Sequence, residues 1–171
     1  MHVERAELQD AESVMQIIAL CIQHMRAHGI HQWDEIYPNL QVVEEDARSG
    51  SLFVIRQDGL CIATVCLNDA QPEQYRPLPW RCAIGRALVI HRLCVRPEFQ
   101  HCGAGRRLME FTEAFAKERG FACIRLDAYT GNPRALALYE KRGYQRIGQA
   151  FFPRRELPFD CFEKIVERAP A

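Results

Sequence analysis

Apolar residues recur along this chain at two different periods, and the switches between them mark out its elements. Val14, Ile17, Ile18, Cys21 and Met25 fall three and four apart, the spacing of one face of a helix. Residues 2–8 suit a short strand before it. Asp10 stands where an N-cap is wanted, and Gly29 where the helix must stop. A second helix is expected after Asn39, built on Leu40, Val43 and Ala47 and ended by Gly50. The pattern then becomes that of strands. Residues 52–55 and 61–67 flank Asp58-Gly59, a dipeptide suited to the left-handed positions of a tight hairpin. Residues 68–81 are rich in proline, carry Tyr75 and Trp80, and read as a long loop. Residues 83–95 return to strand.

Helical spacing reappears at Leu108, Met109, Thr112, Phe115 and Ala116, which predicts a helix over 104–119 broken by Gly120. Residues 121–127 have the continuous apolar pattern of a buried strand. Strand, helix, strand at these lengths implies a right-handed parallel crossover. Asn132-Pro133 opens another helix, with proline at the first helical position where its missing N–H is harmless. Leu136 and Tyr139 share a face of that helix, and Gly143 ends it. Residues 144–147 and 159–166 read as the last strands, separated by the aromatic and basic stretch 151–158. The order is β-α-α-β-β-β-α-β-α-β-β, a single mixed α/β domain spanning 1–171, with no internal repeat or linker.

Composition narrows the function classes. Lysine plus arginine and aspartate plus glutamate number 22 each, so the basic excess of a nucleic-acid binder is missing. The N-terminus has no apolar leader and no run approaches membrane-spanning length, so a cytoplasmic protein without membrane partners is expected. Eight cysteines are present. Cys61, Cys66, Cys94, Cys123 and Cys161 lie in apolar, strand-like runs, where a reduced thiol serves as a small hydrophobe. No Cys-x-x-Cys pair or Cys/His cluster has zinc spacing, so no metal is expected.

The stretch with most chemical content is 91–107, an apolar strand, a turn at Arg96-Pro97, a glycine loop and a helix start. The first N–H groups of a helix lack internal partners and favour an anion, and Gly103 and Gly105 remove side chains that would hold a ligand off. A dinucleotide loop would need a third glycine at Leu108, and a P-loop would need Lys-Ser/Thr where Arg106-Arg107 stands. The remaining pattern, Gln100-x-x-Gly103-x-Gly105, resembles the acyl-CoA pyrophosphate loop of the Gcn5-related N-acetyltransferases. The segment Asn132-Pro133-Arg134-Ala135-Leu136-Ala137-Leu138-Tyr139-Glu140-Lys141-Arg142-Gly143-Tyr144 resembles a second motif of that family. The element order resembles the family from end to end.

The resemblance implies a central, mostly antiparallel sheet with a splayed parallel strand pair and flanking helices. It implies acetyl-CoA as cosubstrate and transfer to a primary amine by direct attack in a ternary complex. Leu93 and Val95 would pair through their backbone with the pantetheine arm, and an N–H of Leu93 or Cys94 would face the thioester oxygen. Gln100, His101, Cys102, Gly103, Ala104, Gly105 and Arg106 would wrap the pyrophosphate. Arg107 reads either as a further phosphate contact or as a solvated helix residue. Tyr139 stands where the family places its general acid, although periodicity alone reads it as a packed core tyrosine. Asn132 would bond the pantetheine or cap its helix, and Lys141 would meet phosphate or solvent.

The general base has more than one reading. His91 would share a strand face with Leu93 and Val95 and resembles a histidine proposed as base in arylalkylamine N-acetyltransferases. It reads equally as a histidine satisfied within the sheet. The glutamate common on this strand has no counterpart, since Ile90 and Arg92 flank His91. Asp127, Tyr129, His31 and Glu35 are rival participants, as is water. For the acceptor, Trp33, Tyr37 and Trp80 suggest an aromatic wall, with Asp34 or Glu35 attracting an amine, while Trp33 reads also as a plug of the core. A small-molecule amine is the expected partner. The family often dimerises and the terminal strands leave an edge, so the resemblance leans toward a homodimer. A non-catalytic acyl-CoA-binding module is the alternative; it would share the loop but need neither Tyr139 nor a base.

Overall fold

A computed structural model describes residues 1–167 of the chain. The helices are α1 (Ala11–Ala27), α2 (Leu40–Arg48), α3 (Ala104–Glu118) and α4 (Pro133–Lys141). The strands are β1 (Val3–Arg5), β2 (Leu52–Gln57), β3 (Leu60–Asn68), β4 (Ala87–Val95), β5 (Cys123–Tyr129), β6 (Gln145–Ala150) and β7 (Phe159–Ile165). Their order in the mixed sheet is β1-β2-β3-β4-β5-β7-β6. Every helix and strand expected from the residue pattern is present, with short 3-10 turns added at Leu8–Asp10, Glu73–Tyr75 and Pro97–Phe99. Backbone contacts divide the chain into two units, one of Met1–Leu67 with His91–Thr112, the other of Asn68–Ile90 with Glu113–Ala171.

In the first unit the apolar face of α1 supplies Val14, Ile17, Ile18, Cys21 and Ile22 to a buried core, where they meet Val43 and Ala47 of α2 and Leu52 and Val54 of β2. Asn39 caps α2 as its position suggests, its Oδ1 accepting from the Val42 N–H at 3.1 Å. Asp10 behaves differently from the expected cap. It closes a 3-10 turn, accepts from the Glu7 N–H at 2.8 Å and pairs with Arg56 at 2.8 Å. Asp10 still precedes α1, but its side chain makes no cap bond to that helix; its carboxylate is taken up by Arg56 and by the Glu7 N–H of the preceding turn. The β2–β3 hairpin turns at Asp58 and Gly59 with φ of 51° and 78°, the paired left-handed geometry the dipeptide favours.

In the second unit β5 pairs in parallel with the start of β4, Ala87 with Cys123, Leu88 with Ile124 and Val89 with Arg125. Its other edge runs antiparallel to β7 over its full length, from Cys123↔Ile165 to Tyr129↔Phe159. The proline-rich loop packs through Tyr75 against Val89, Ala150 and Cys161. α4 starts at Asn132, whose Oδ1 accepts from the Ala135 N–H at 3.2 Å, and stops at Gly143, with φ of 79°. The five cysteines expected in apolar runs, Cys61, Cys66, Cys94, Cys123 and Cys161, are all buried.

Candidate active site

The expected site residues divide between the units: 91–106 belong to the first, and Trp80, Asn132, Tyr139 and Lys141 to the second. In the first, Phe99 N–H donates to the Arg96 carbonyl at 2.9 Å and Gln100 N–H to Pro97 at 3.2 Å, so the chain leaves β4 through one tight turn. The Gln100 side chain donates back to the Val95 carbonyl at 3.3 Å, and the Cys21 thiol donates to the same oxygen at 3.2 Å. His101 and Gly103 then take left-handed backbone, φ 73° and 90°. The Gly103 carbonyl accepts from the Arg107 N–H at 2.9 Å, which makes Gly103 the residue before α3. The N–H groups of Ala104, Gly105 and Arg106 are therefore the first of the helix, the ones without intrahelical acceptors.

Gly105 is the informative position. A Cβ built there would meet only Val95 Cγ2, at 3.7 Å, an ordinary contact. Glycine in a helix costs roughly 0.5–1 kcal/mol relative to alanine. No neighbour among the described residues calls for that cost, whereas a ligand lying on the helix N-terminus would. The residues thus fit an anionic ligand such as a pyrophosphate. Arg106 and Arg107 are exposed beside it, 3.6 Å and 3.8 Å from the Glu110 carboxylate.

β4 holds a feature its apolar pattern hides. Arg92 has φ of 50°, a left-handed residue inside a strand. The even spacing that would put His91 on one face with Leu93 and Val95 assumes unbroken extended backbone, and Arg92 interrupts it. His91, Leu93 and Val95 are half-buried and Cys94 is buried. The Arg92 side chain donates to both carboxylate oxygens of Asp46, at 2.8 and 2.7 Å, and to the Tyr37 hydroxyl at 2.7 Å. Nothing in the spacing of these three residues announced that set; a charged residue inside an apolar strand was its one signal.

The residues preceding α2 form an ordered loop. Asp34 Oδ1 accepts from the N–H groups of Ile36 and Tyr37, each at 2.9 Å. Trp33 is 8% exposed and belongs to the core of this unit, whereas Tyr37 is 37% exposed. Glu35 pairs with Arg26 through both carboxylate oxygens, and that guanidinium holds its carboxyl at about 2. A carboxylate held so low is a poor proton acceptor at neutral pH. His31 is exposed.

In the second unit Tyr139 is buried, its ring 5.9 Å from that of Phe162 and 6.0 Å from that of Tyr144. Burial, reinforced by the nearby Asp127 carboxylate, holds its proton well above the usual phenol range. It is a packed core tyrosine that stays protonated, which is the form a proton donor needs. Asp127 is half-buried and accepts from the Tyr75 hydroxyl at 2.8 Å. Tyr75 carries no functional signal in the sequence, because it sits in a proline-rich loop without periodicity. Trp80 donates its indole N–H to the Tyr75 carbonyl at 2.8 Å and lies under Arg125, 4.3 Å from guanidinium to ring centroid. Lys141 is exposed in the last turn of α4, and Tyr129 is buried.

Among the described residues no group of His, Cys, Asp and Glu side chains could hold a metal ion. No helix there is long and apolar enough to cross a membrane.

Comparison with known proteins bears on the family and the fold. The uncharacterized N-acetyltransferase YesJ of Bacillus subtilis is 26% identical, covering 84% of this chain and 81% of its own length. The S-(2-succino)cysteine N-acetyltransferase of the same organism is 24% identical, covering 82% of each. An acetyltransferase of the GNAT family from Streptococcus agalactiae superposes with a TM-score of 0.82 at 22% identity, over 98% of this chain and 96% of the other. The Salmonella typhimurium protein yncA, solved with its cofactor acetyl-CoA, superposes with a TM-score of 0.73 at 14% identity, over 100% and 96%. The acetyltransferase (GNAT) family matches residues 17–144, and by that match this chain belongs to it.

Proposed function

We propose that this chain transfers the acetyl group of acetyl-CoA to the primary amine of a small, amino-acid-like molecule by direct attack in a ternary complex. The observation that carries the reading is the glycine loop, where Gly105 opens α3 without any packing need for a glycine. The S-(2-succino)cysteine relative supports a small amino-acid acceptor, and the acetyl-CoA complex of a protein with this fold supports the cosubstrate.

Acetyl-CoA supplies an activated thioester; the rest falls to residues of this chain. The N–H groups of Ala104, Gly105 and Arg106 hold the pyrophosphate, with Gln100, His101, Cys102 and Gly103 shaping the loop. Leu93 and Val95 align the pantetheine arm through their backbone, and the N–H of Leu93 or Cys94 stabilises charge on the thioester oxygen. Asn132 and Lys141 complete the cosubstrate contacts. His91 takes the proton of the attacking amine, and Tyr139 donates one to the departing thiolate. Burial holds the Tyr139 proton above the usual phenol range, so that last transfer is uphill for the phenol by more than the roughly 1.5 pH units that separate aqueous phenols from thiols. Tyr37 contacts the acceptor.

The test is a panel of amines with acetyl-CoA, followed by release of free thiol, beside thermal shifts with acetyl-CoA, CoA, ATP and NAD. Stabilisation by acetyl-CoA and CoA together with amine-dependent thiol release is expected. Stabilisation by the nucleotides alone would overturn the reading, and acetyl-CoA binding without turnover of any amine would leave a binding module.

A further inference from the structure

The geometry points to the Tyr37 hydroxyl as a hydrogen-bond donor that recognises a carboxylate on the acceptor, held in place by Arg92 and Asp46. This deepens the proposed acetyltransferase reading and rests on it. An arginine side chain can only donate. In the 2.7 Å contact between Arg92 Nη1 and the Tyr37 hydroxyl, the phenol oxygen must therefore be the acceptor, and its own hydrogen points elsewhere. Among the described residues no acceptor for that hydrogen is seen. Tyr37 is 37% exposed, so the hydrogen is offered toward solvent or a ligand.

The donor is polarised and fixed. A guanidinium on the phenol oxygen makes the remaining O–H a stronger donor, one that favours an anionic oxygen over a neutral one. Arg92 is itself immobilised, with Nε on Asp46 Oδ2 at 2.8 Å and Nη2 on Asp46 Oδ1 at 2.7 Å. Both partners of that fork are largely shielded, with side chains 11% and 9% exposed. Tyr37 is fixed from the backbone side as well, since Asp34 accepts from its N–H at 2.9 Å and donates its own N–H to the Tyr37 carbonyl at 3.1 Å. An exposed tyrosine tethered at both ends pays little entropy on meeting a ligand. Tyr37 binds the acceptor, while Arg92 and Asp46 are positioning residues.

The test compares amino acids with the amines that lack only the carboxylate: S-methylcysteine with 2-(methylthio)ethylamine, methionine with 3-(methylthio)propylamine, phenylalanine with phenethylamine. The wild type should use at least one amino acid with higher kcat/KM than its amine. Tyr37→Phe removes one hydroxyl and leaves the Arg92–Asp46 fork intact. It should lower kcat/KM for that amino acid by about 10- to 100-fold, the effect of a hydrogen bond to a charged group, while the matching amine is little affected. Arg92→Lys can still pair with Asp46 but cannot span to Tyr37 as well, so it should lose the same preference. A role confined to folding would lower both series equally and would not move their ratio. An unchanged ratio in Tyr37→Phe, equal losses in both series, or no carboxylate preference in the wild type overturns the assignment. Thermal stabilisation by acetyl-CoA, measured on the same proteins, reports separately on the acetyltransferase reading.

Discussion

Gly105 and Val95 stand so that a methyl group added to the glycine would reach Val95 Cγ2 at 3.7 Å, a normal contact. Gly105→Ala should therefore strengthen α3 by about 0.5–1 kcal/mol, the ordinary difference in helix cost. Under the proposed acetyl-CoA reading, the same methyl group would also crowd a pyrophosphate held by the N–H groups at the helix N-terminus. We expect a higher melting temperature together with acetyl-CoA binding weakened by about tenfold or more, roughly 1.4 kcal/mol. Calorimetric titration and thermal unfolding of the two proteins check this. Tighter or unchanged acetyl-CoA binding in the variant would mean the loop does not hold the ligand.

Tyr139→Phe separates packing from proton donation. The ring keeps its neighbours Phe162 and Tyr144, and only a hydroxyl is removed. Stability should change little. Turnover should fall by about 10²-fold or more, as for loss of a positioned acid, with acetyl-CoA affinity nearly unchanged. Steady-state kinetics at saturating acetyl-CoA decide it, and full turnover would remove Tyr139 from the chemistry.

The contrast between Asn39 and Asp10 shows what the sequence could report about this fold. Both residues occupy cap positions. Asn39 performs the local task, and the partners of its side chain, the Ile36 carbonyl and the Val42 N–H, both lie three positions away. Asp10 is drawn to Arg56, a partner far along the chain, and local spacing cannot foresee that. The hairpin at Asp58-Gly59 and the helix stop at Gly143 were legible for the same reason as Asn39: their backbone angles are demanded by neighbouring residues. The site divides along the same line. The glycine loop is local and could be read directly. The pairing of Arg92 with Asp46 spans 46 positions and that of Tyr75 with Asp127 spans 52, and apolar periodicity carries no trace of either. The left-handed backbone at Arg92 is likewise invisible to a period-two count, so the face of β4 that His91 shares could not be fixed from spacing.

His91 is tested through pH. A histidine acting as base must be neutral, so activity should fall on the acid side as the imidazole takes up a proton. His91→Ala should lower kcat/KM by about 10²-fold at neutral pH. It should also abolish that acid limb, leaving a dependence set by the amine's own ionisation. Rates recovering as pH approaches the amine's pKa would agree with loss of a base, since a pre-neutralised amine needs none. An acid limb identical in both proteins would assign the proton acceptor to water or to another group such as Asp127.

Two buried thiols predict how the fold responds to alkali. Burial pushes Cys66 up to about 12, with Arg92 opposing the shift and Asp46 adding to it. Burial likewise pushes Cys161 up to about 12, with Asp127 adding to it. In the unfolded chain a thiol ionises near 8.5–9. Between that point and about 12 the folded protein keeps protons that the unfolded chain has shed. The unfolded state then binds fewer protons, and stability must fall as pH rises. Below about pH 8.5 both states hold the proton and the two thiols contribute no pH dependence. Above it, each contributes a loss of about 1.4 kcal/mol per pH unit until its folded value is reached. Wild type should therefore be markedly less stable to urea at pH 10 than at pH 7.5. Cys66→Ala and Cys161→Ala should each start lower, because a buried sulfur is lost, yet decline less over the same interval. An equal decline in wild type and both variants would place the alkaline sensitivity in groups other than these thiols.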